Sequence, residues 1–162
     1  MIRFTILGEP ASKANSIELS TRVKFSSKRN KKVTVPSMRK SDKARDYERT
    51  AQAQIPAEAR QRLQGPVRVT MHVFYRTQLP DLDCSVILDV LQTRYIKVID
   101  RYEPLGDGQF ATIKVKKLVN SGVYDNDRQV REMHFFHHID KLNPRAEIEV
   151  ELLEVHNARR SA

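Results

Sequence analysis

The feature that most constrains the fold is a run of nine residues, Val67 to Tyr75, with an apolar side chain at every second position. Successive side chains of an extended strand point to opposite faces, so this period predicts a strand with one buried face. The five residues of the apolar face are Val67, Val69, Met71, Val73 and Tyr75. His72 lies on the other face, and we interpret it as structural.

Three further runs alternate in the same way, and one segment has helical spacing. Residues 2–7, 129–139 and 146–152 predict strands. A helix begins after Ser41, which is a suitable N-cap, and ends at Pro56. A chain of 162 residues with this pattern predicts an α/β (α+β) fold: a single domain with a small mixed sheet and helices packed on it.

The positive charge of the chain is concentrated in one segment. Residues 13–45 contain eleven basic and two acidic side chains, which gives +9, the formal net charge of the whole chain. Within this segment, residues 21–25 and 32–35 predict a hairpin whose basic side chains bind a phosphate backbone. A solvated loop is the alternative. The residues predicted here to contact DNA are Lys13, Arg22, Lys24, Lys28, Arg29, Lys31 and Lys32.

Two acids follow the central strand. Asp81 and Asp83 lie two positions apart, so in extended chain both carboxylates point to the same side. A third acid from elsewhere would complete an oxygen-rich site for a hard cation. Mg²⁺ suits a site with few carboxylates, several waters and substrate phosphates. Beside Pro80, the same Asp-x-Asp pattern is also typical of a solvated turn.

The segment after these acids is less regular. Residues 84–95 have the length of a helix, in which Asp89 is a surface acid or a reserve metal ligand. Residues 95–111 predict a loop, because proline and glycine interrupt them. Residues 113–119 predict a short helical or extended piece. Its basic residues are Lys114, Lys116 and Lys117, of which the last two are also predicted to contact DNA.

Cysteine and histidine usage bears on other kinds of site. The single cysteine, Cys84, excludes an internal disulfide and a multi-cysteine zinc site. His134, His137 and His138 lie on a strand pattern, which favours structural roles over zinc binding. The chain has no apolar run that could span a bilayer and no signal-peptide pattern, which predicts a cytoplasmic protein without a membrane partner.

In their order, the motifs of this chain resemble those of the RusA family of Holliday junction resolvases. The resemblance spans nearly the whole chain, and each motif is short. The matching segments are Gly8-Glu9-Pro10, Lys43-Ala44-Arg45-Asp46-Tyr47-Glu48, Asp81-Leu82-Asp83-Cys84, Gly122-Val123-Tyr124-Asp125-Asn126-Asp127-Arg128-Gln129 and Asn143-Pro144-Arg145-Ala146-Glu147-Ile148.

The resemblance implies a function and a set of site residues. The family is Mg²⁺-dependent and dimeric, and it cuts four-way DNA junctions by paired nicks. Asp81, Asp83 and Asp127 would then hold the metal, and Asp125 would not. Lys114 would be the catalytic lysine, because it lies eight residues before Gly122. A bacterial or phage origin is expected.

The same resemblance predicts the domain boundaries of the chain. It predicts a nuclease domain over residues 1–155, with a basic loop or hairpin at about 13–40. An insertion at about 85–113 would separate the family lysine from the acids and alter the surface that faces the substrate. Residues 156–162 would form a loose tail.

Three departures from the family pattern keep alternative functions open. Cys84 stands where the family has asparagine, Asn126 where an acid is common, and Ile87 where the family lysine usually lies. One alternative is a nickase or nuclease for other branched DNA, with the insertion setting the substrate. The other is a non-catalytic nucleic-acid-binding protein with the same fold.

Overall fold

A four-stranded mixed sheet forms the centre of the fold. The structure is a computed structural model, and it describes residues 1–26, 28, 30–80, 83–106 and 109–154, without the side chains of residues 13, 14 and 26. The strand order is β1 (Ile2–Leu7), β8 (Arg145–Leu152), β4 (Val67–Tyr75), β7 (Val130–Ile139). β4 is antiparallel to β8 and parallel to β7. The predicted fold class is therefore confirmed, as are the four strands to within one residue at each end.

One face of this sheet carries the core. The five alternating residues of β4 are all 0% exposed. Helices α2 (Asp42–Gln54) and α3 (Ser85–Leu91) contribute Tyr47, Ile87 and Leu91 to the same cluster. Full burial of an aliphatic side chain of this size contributes about 1.5 to 3 kcal/mol relative to exposure. The alternation in β4 thus determines which side of the sheet the helices cover.

Helix α2 begins and ends as its sequence predicts. The Ser41 hydroxyl accepts a hydrogen bond from the Ala44 amide at 3.1 Å, and the helix ends before Pro56. After Pro56 the chain forms a single 3₁₀ turn, Ala57–Ala59. The chain leaves that turn because the Leu63 amide donates instead to the Val123 carbonyl at 2.8 Å. None of the helices in the described ranges has the length and apolarity that a bilayer crossing requires.

The opposite face of the sheet carries stacked rings. His72 stacks on Phe136, with 4.6 Å between ring centroids, and His138 stacks on Phe74 at the same distance. The His72 Nδ1 and His138 Nε2 atoms are 2.9 Å apart. The guanidinium carbon of Arg145 lies 3.7 Å from the centroid of Phe74. These contacts support the structural role inferred for His72.

Two long hairpins extend from the sheet and its helices. β2 (Ile17–Ser26) and β3 (Lys31–Lys40) form the first, which follows the short helix α1 (Lys13–Ser16). This is the predicted basic hairpin, extended at both ends. β5 (Arg94–Gly106) and β6 (Gln109–Asn120) form the second. The predicted loop at 95–111 is therefore wrong, and the helix predicted over 84–95 ends at Leu91.

Candidate metal and nucleic-acid site

Asp83 lies between the end of β4 and the start of α3. Its Oδ1 atom accepts hydrogen bonds from the Ser85 amide at 3.0 Å and from the Ser85 hydroxyl at 2.6 Å. The Ser16 hydroxyl donates to the Oδ2 atom at the longer distance of 3.4 Å. The Ser85 bonds fix the orientation of this carboxylate and leave Oδ2 the less engaged oxygen. Asp81, its predicted partner, lies outside the described residues.

A short extended segment, which begins the motif at residues 122–129, packs against the end of α3. The Val123 amide donates to the Leu91 carbonyl at 2.7 Å, and the Thr93 amide donates to the Tyr124 carbonyl at 2.9 Å. A Cβ atom at Gly122 would lie 2.4 Å from the Leu91 carbonyl oxygen and 2.5 Å from the Thr93 amide nitrogen. Real Cβ contacts of this length essentially do not occur, so only glycine permits this approach.

Asp127 is the first residue of a 3₁₀ turn, Asp127–Gln129. Its preceding residue, Asn126, accepts a hydrogen bond from the Arg128 amide at 2.9 Å, and the Gln129 side chain accepts from the Asn126 amide at 2.9 Å. This reciprocal capping box holds the turn without using Asp127. The Asp127 side chain is exposed, and no described residue forms a hydrogen bond or ion pair with its carboxylate.

Asp125 has a different environment. Its carboxylate accepts hydrogen bonds from Arg62 Nε at 2.8 Å, from Arg62 Nη2 at 3.2 Å and from Gln64 Nε2 at 3.0 Å. These hydrogen bonds lower the pKa of Asp125 to about 2. Asp125 is therefore committed to Arg62, and Asp127 is the acid of this turn that remains available to a ligand. The sequence favours Asp127 over Asp125 as a metal ligand only by resemblance. The pairing of Asp125 with Arg62 supplies an independent reason for the same choice.

The pKa values of two buried tyrosines indicate which acids lie near each of them. Burial, followed by the charge of Asp83, raises the pKa of Tyr75 to about 12. Burial, followed by the charge of Asp127, raises the pKa of Tyr124 above its ordinary range. The Cys84 thiol contributes to both shifts. Asp83 and Asp127 are therefore each close to a buried tyrosine that is also influenced by Cys84.

The donor atoms of this region fit a hard cation. Asp83 and Asp127 offer carboxylate oxygens, which Mg²⁺ prefers. The buried Tyr75 hydroxyl has no hydrogen-bond partner in the described parts of the chain, and a metal-bound water would supply one. No group of three metal-ligating side chains occurs among the described residues, which exclude Asp81. A complete Mg²⁺ site of the predicted composition thus requires Asp81.

Lys40, at the end of β3, is a cation of this region that the sequence analysis missed. Its ammonium group forms ion pairs with Glu48 of α2 and Asp89 of α3. Burial lowers the pKa of Lys40, but the hydrogen bonds to Asp89 and Glu48 outweigh it, so the net shift is upward. The sequence feature that could have indicated a paired cation is Glu48, an acid on the buried face of α2 between Tyr47 and Ala51. Buried acids generally have a partner.

A cavity of about 320 Å³ lies beside this ion pair. Lys40 and Met38 of the first hairpin form one wall, and Ser85 and Asp89 of α3 form another. Because Ser85 also donates to Asp83, the cavity connects the base of the basic hairpin to the proposed metal ligand. A phosphate group entering it would meet Lys40 and Arg39, and also the carboxylate of Asp89.

Lys114 lies on the second hairpin. It is exposed, and its cross-strand neighbour is Ile99. It lies six positions before Asn120, at the base of the hairpin, which corresponds to about 20 Å along a strand. Lys116 and Lys117 follow on the same strand and are also exposed. The catalytic role of Lys114 stays a prediction.

The first hairpin presents basic residues in register. Arg22 lies opposite Val35, and Lys24 lies opposite Val33, so both basic side chains share a face with Lys31. Lys32 lies on the other face, opposite Phe25. Lys28 is exposed at the tip. Arg29 and the Lys13 side chain lie outside the described parts of the structure. A row of exposed basic side chains along one face suits contact with a phosphate backbone.

Comparison with known proteins identifies no relative. No protein family model matches the chain, and no curated protein sequence matches it. A functional assignment therefore rests on the residues and their arrangement.

Proposed function

We propose that this chain is a Mg²⁺-dependent structure-specific endodeoxyribonuclease that resolves four-way DNA junctions by paired nicks, as its resemblance to the RusA family implies. The proposal rests on the different environments of Asp125 and Asp127. Asp125 is bound to Arg62, whereas the exposed carboxylate of Asp127 has no partner among the described residues. An exposed, unpaired acid held on a rigid turn suits metal binding better than it suits a structural role.

Asp83 and Asp127 would hold the metal together with Asp81. The hydrogen bonds from Ser85 keep Asp83 oriented, and the capping box around Asn126 keeps Asp127 on its turn. When bound, Mg²⁺ lowers the pKa of a coordinated water and stabilises charge on the phosphate and on the leaving 3′-oxygen. The acids contribute negative charge and fixed positions, so DNA binding should not depend on them.

A lysine would stabilise the developing charge on the scissile phosphate. Ile87, which stands at the usual family position, is fully buried in the core and cannot do so. Lys114 is the residue that the family spacing indicates. Lys40 is the alternative that the geometry favours, because it lines the cavity that Ser85 and Asp89 also line.

The remaining parts of the chain would handle the junction. The exposed basic residues of β2 and β3 would position the DNA through its backbone without reading sequence. A homodimer with two-fold symmetry would place two active sites on opposed strands of a four-way junction. We also propose a cytoplasmic location and a bacterial or phage origin, on the resemblance alone.

A nuclease for forks or other branched DNA is the second candidate. The β5–β6 hairpin favours it, because an arm of this length adjoins the Asp125 turn and would add a surface for a further DNA branch.

One assay separates these functions. A labelled four-way junction, a fork, a linear duplex and a single strand are incubated with the protein, with Mg²⁺ and with EDTA. Symmetric Mg²⁺-dependent cleavage of the junction supports the proposal, and cleavage confined to forks or duplex supports the second candidate. Binding of these DNAs without cleavage of any would refute the enzyme and leave a nucleic-acid-binding protein.

A further inference from the structure

The β5–β6 hairpin has two chemically different faces. Directly opposed residues of an antiparallel pair point to the same side, so the register assigns each side chain to a face. Every residue of β6 from Gln109 to Leu118 has a partner in β5. The residues left without a partner are Asp100 and Leu105 of β5 and Val119 of β6. The even positions of β6 and their partners form what we call the basic–aromatic face. Its main members are Tyr95, Lys97, Tyr102, Phe110, Lys114 and Lys116.

The odd positions of β6 form the opposite face, which is mainly aliphatic. Its apolar members are Ile96, Val98, Ala111, Ile113 and Val115. Val98, Ala111 and Ile113 are half-buried, whereas the three lysines of the basic–aromatic face are exposed. All three rings and three of the four lysines of the hairpin therefore lie on one side, together with Ile99 and Leu118, whereas Arg101, Glu103 and Lys117 lie on the other.

The lysines of the basic–aromatic face have no acidic partner among the residues that the structure describes. Lys97 lies directly opposite Lys116, a like-charge pair that destabilises an isolated hairpin. The acids Asp100 and Glu103 form ion pairs with Arg101 instead. No ion pair with a described residue involves Lys97, Lys114 or Lys116. A bound anion would relieve the repulsion within such a cluster.

The rings of this face suit nucleobases. Tyr102 is 61% exposed and Phe110 is 63% exposed. Exposed aromatic rings interleaved with lysines are the usual surface for single-stranded nucleic acid, because the bases stack on the rings and the phosphates meet the cations. A fully paired duplex keeps its bases stacked on one another and would use only the lysines.

The basic–aromatic face is continuous with the proposed cleavage site. Arg62 donates from Nη2 to the Tyr95 hydroxyl at 2.7 Å and from Nε to Asp125 at 2.8 Å. A single guanidinium thus joins the base of the hairpin to the turn that carries Asp127. DNA that lies along this face therefore ends beside the proposed metal ligand.

We propose that the basic–aromatic face of the β5–β6 hairpin binds unpaired nucleotides at the branch point of the DNA substrate. This inference rests on the proposed function, and it names the substrate class more narrowly: branched DNA with a single-stranded stretch beside the cut. The hairpin is then a second DNA-binding arm, distinct from the basic hairpin of β2 and β3.

The test compares two DNAs and two matched variants by fluorescence anisotropy in EDTA. One DNA is a fully paired four-way junction, and the other is the same junction with a short unpaired gap at its branch point. The Tyr102→Thr/Phe110→Thr variant removes the rings and retains residues suited to strands. The Val98→Thr/Val115→Thr variant makes the same kind of change on the aliphatic face. Far-UV circular dichroism confirms that both variants fold.

The ring variant should lose about tenfold or more in affinity for the gapped junction and less than about twofold for the paired one. The aliphatic-face variant should bind both DNAs as the wild type does. Replacing Lys97, Lys114 and Lys116 by Gln should lower the slope of log affinity against log salt by about 2 on the gapped junction. This triple variant keeps the test valid if the ring variant fails to fold.

Equal losses on both DNAs, or no loss on either, would overturn the inference. Affinity could instead fall only in the aliphatic-face variant, with a change from dimer to monomer in light scattering. That result would show that the hairpin binds a second copy of the chain, and it would overturn the inference as well. Failure of the proposed function looks different. In that case the wild type itself would cleave none of these DNAs with Mg²⁺, whether or not it binds them.

Discussion

Arg62 binds Asp125 through two nitrogens of its guanidinium group, at 2.8 Å and 3.2 Å, and this pairing occupies the acid that lies two residues before Asp127. Arg62 adopts a positive φ of 51°, which is uncommon for a residue other than glycine. The strained backbone places the side chain between Asp125 and Tyr95. Two acids that look equivalent in the sequence are thereby given different roles.

The first prediction contrasts these two acids. Asp127→Asn should reduce Mg²⁺-dependent cleavage by orders of magnitude and leave the melting temperature nearly unchanged, because its carboxylate has no described partner to lose. Asp125→Asn should cleave nearly normally and lower the free energy of unfolding by about 2 kcal/mol, because it weakens charged hydrogen bonds. Cleavage rates and thermal melts of both variants check this, with Asp83→Asn as a second metal-ligand variant. The reverse pattern would remove Asp127 from the metal site.

The second prediction concerns pH. The pKa of Asp125 is lowered to about 2 in the folded protein, below its unfolded value of about 3.9. The stabilisation is therefore complete above about pH 4 and is lost as the pH falls towards 2. The difference in stability between the wild type and Asp125→Asn should shrink through this window in denaturant melts. A difference that stays constant from pH 6 to pH 2 would mean that Arg62 does not stabilise the charged form.

The third prediction concerns Gly122. Gly122→Ala would place a methyl group 2.4 Å from the Leu91 carbonyl oxygen, so the segment or the end of α3 must move. The free energy of unfolding should fall by about 3 kcal/mol or more, as for other overpacked sites. Gly106→Ala is a comparison of a different kind, because that position has open space around it but a positive φ of 92°, so only backbone strain destabilises the variant. Equal melting temperatures for the wild type and Gly122→Ala would show that the approach is looser than described.

The fourth prediction separates the two candidate lysines. Lys40→Met leaves Glu48 and Asp89 without their cation and should lower the free energy of unfolding by about 1 to 2 kcal/mol, since water reaches the pair. Lys114→Met should leave stability unchanged, because Lys114 is exposed. Single-turnover cleavage then decides the chemistry. A large loss for Lys114→Met alone would establish it as the catalytic lysine, and a large loss for Lys40→Met, measured well below its melting temperature, would favour Lys40.

The regular parts of the fold were predictable because their signals are local. Residues 67–75 alternate without interruption, and Ser41 and Pro56 mark the helix between them. The β5–β6 hairpin was missed because its irregularities at Asp100, Leu105 and Val119 shift the alternation. Each shift reverses the face of the residues that follow, so no single period survives across the segment.

The candidate site was predictable only in part, because its partners are distant in the sequence. Asp83 and Asp127 were named from a motif. The Arg62 pairing with Asp125 joins residues 63 positions apart, and Lys40 meets an acid 49 positions away. No periodicity or spacing rule relates such residues. They become visible only once the sheet has brought the elements together.

The β5–β6 hairpin leaves the body of the protein at Arg94 and returns to it at Asn120, directly opposite. A length of chain that begins and ends at one place can be shortened, lengthened or exchanged without rerouting anything behind it. The length of the arm and the chemistry of the acids can therefore change independently. Under the proposed function, a longer or shorter arm would reach differently shaped DNA while the acids stay in place.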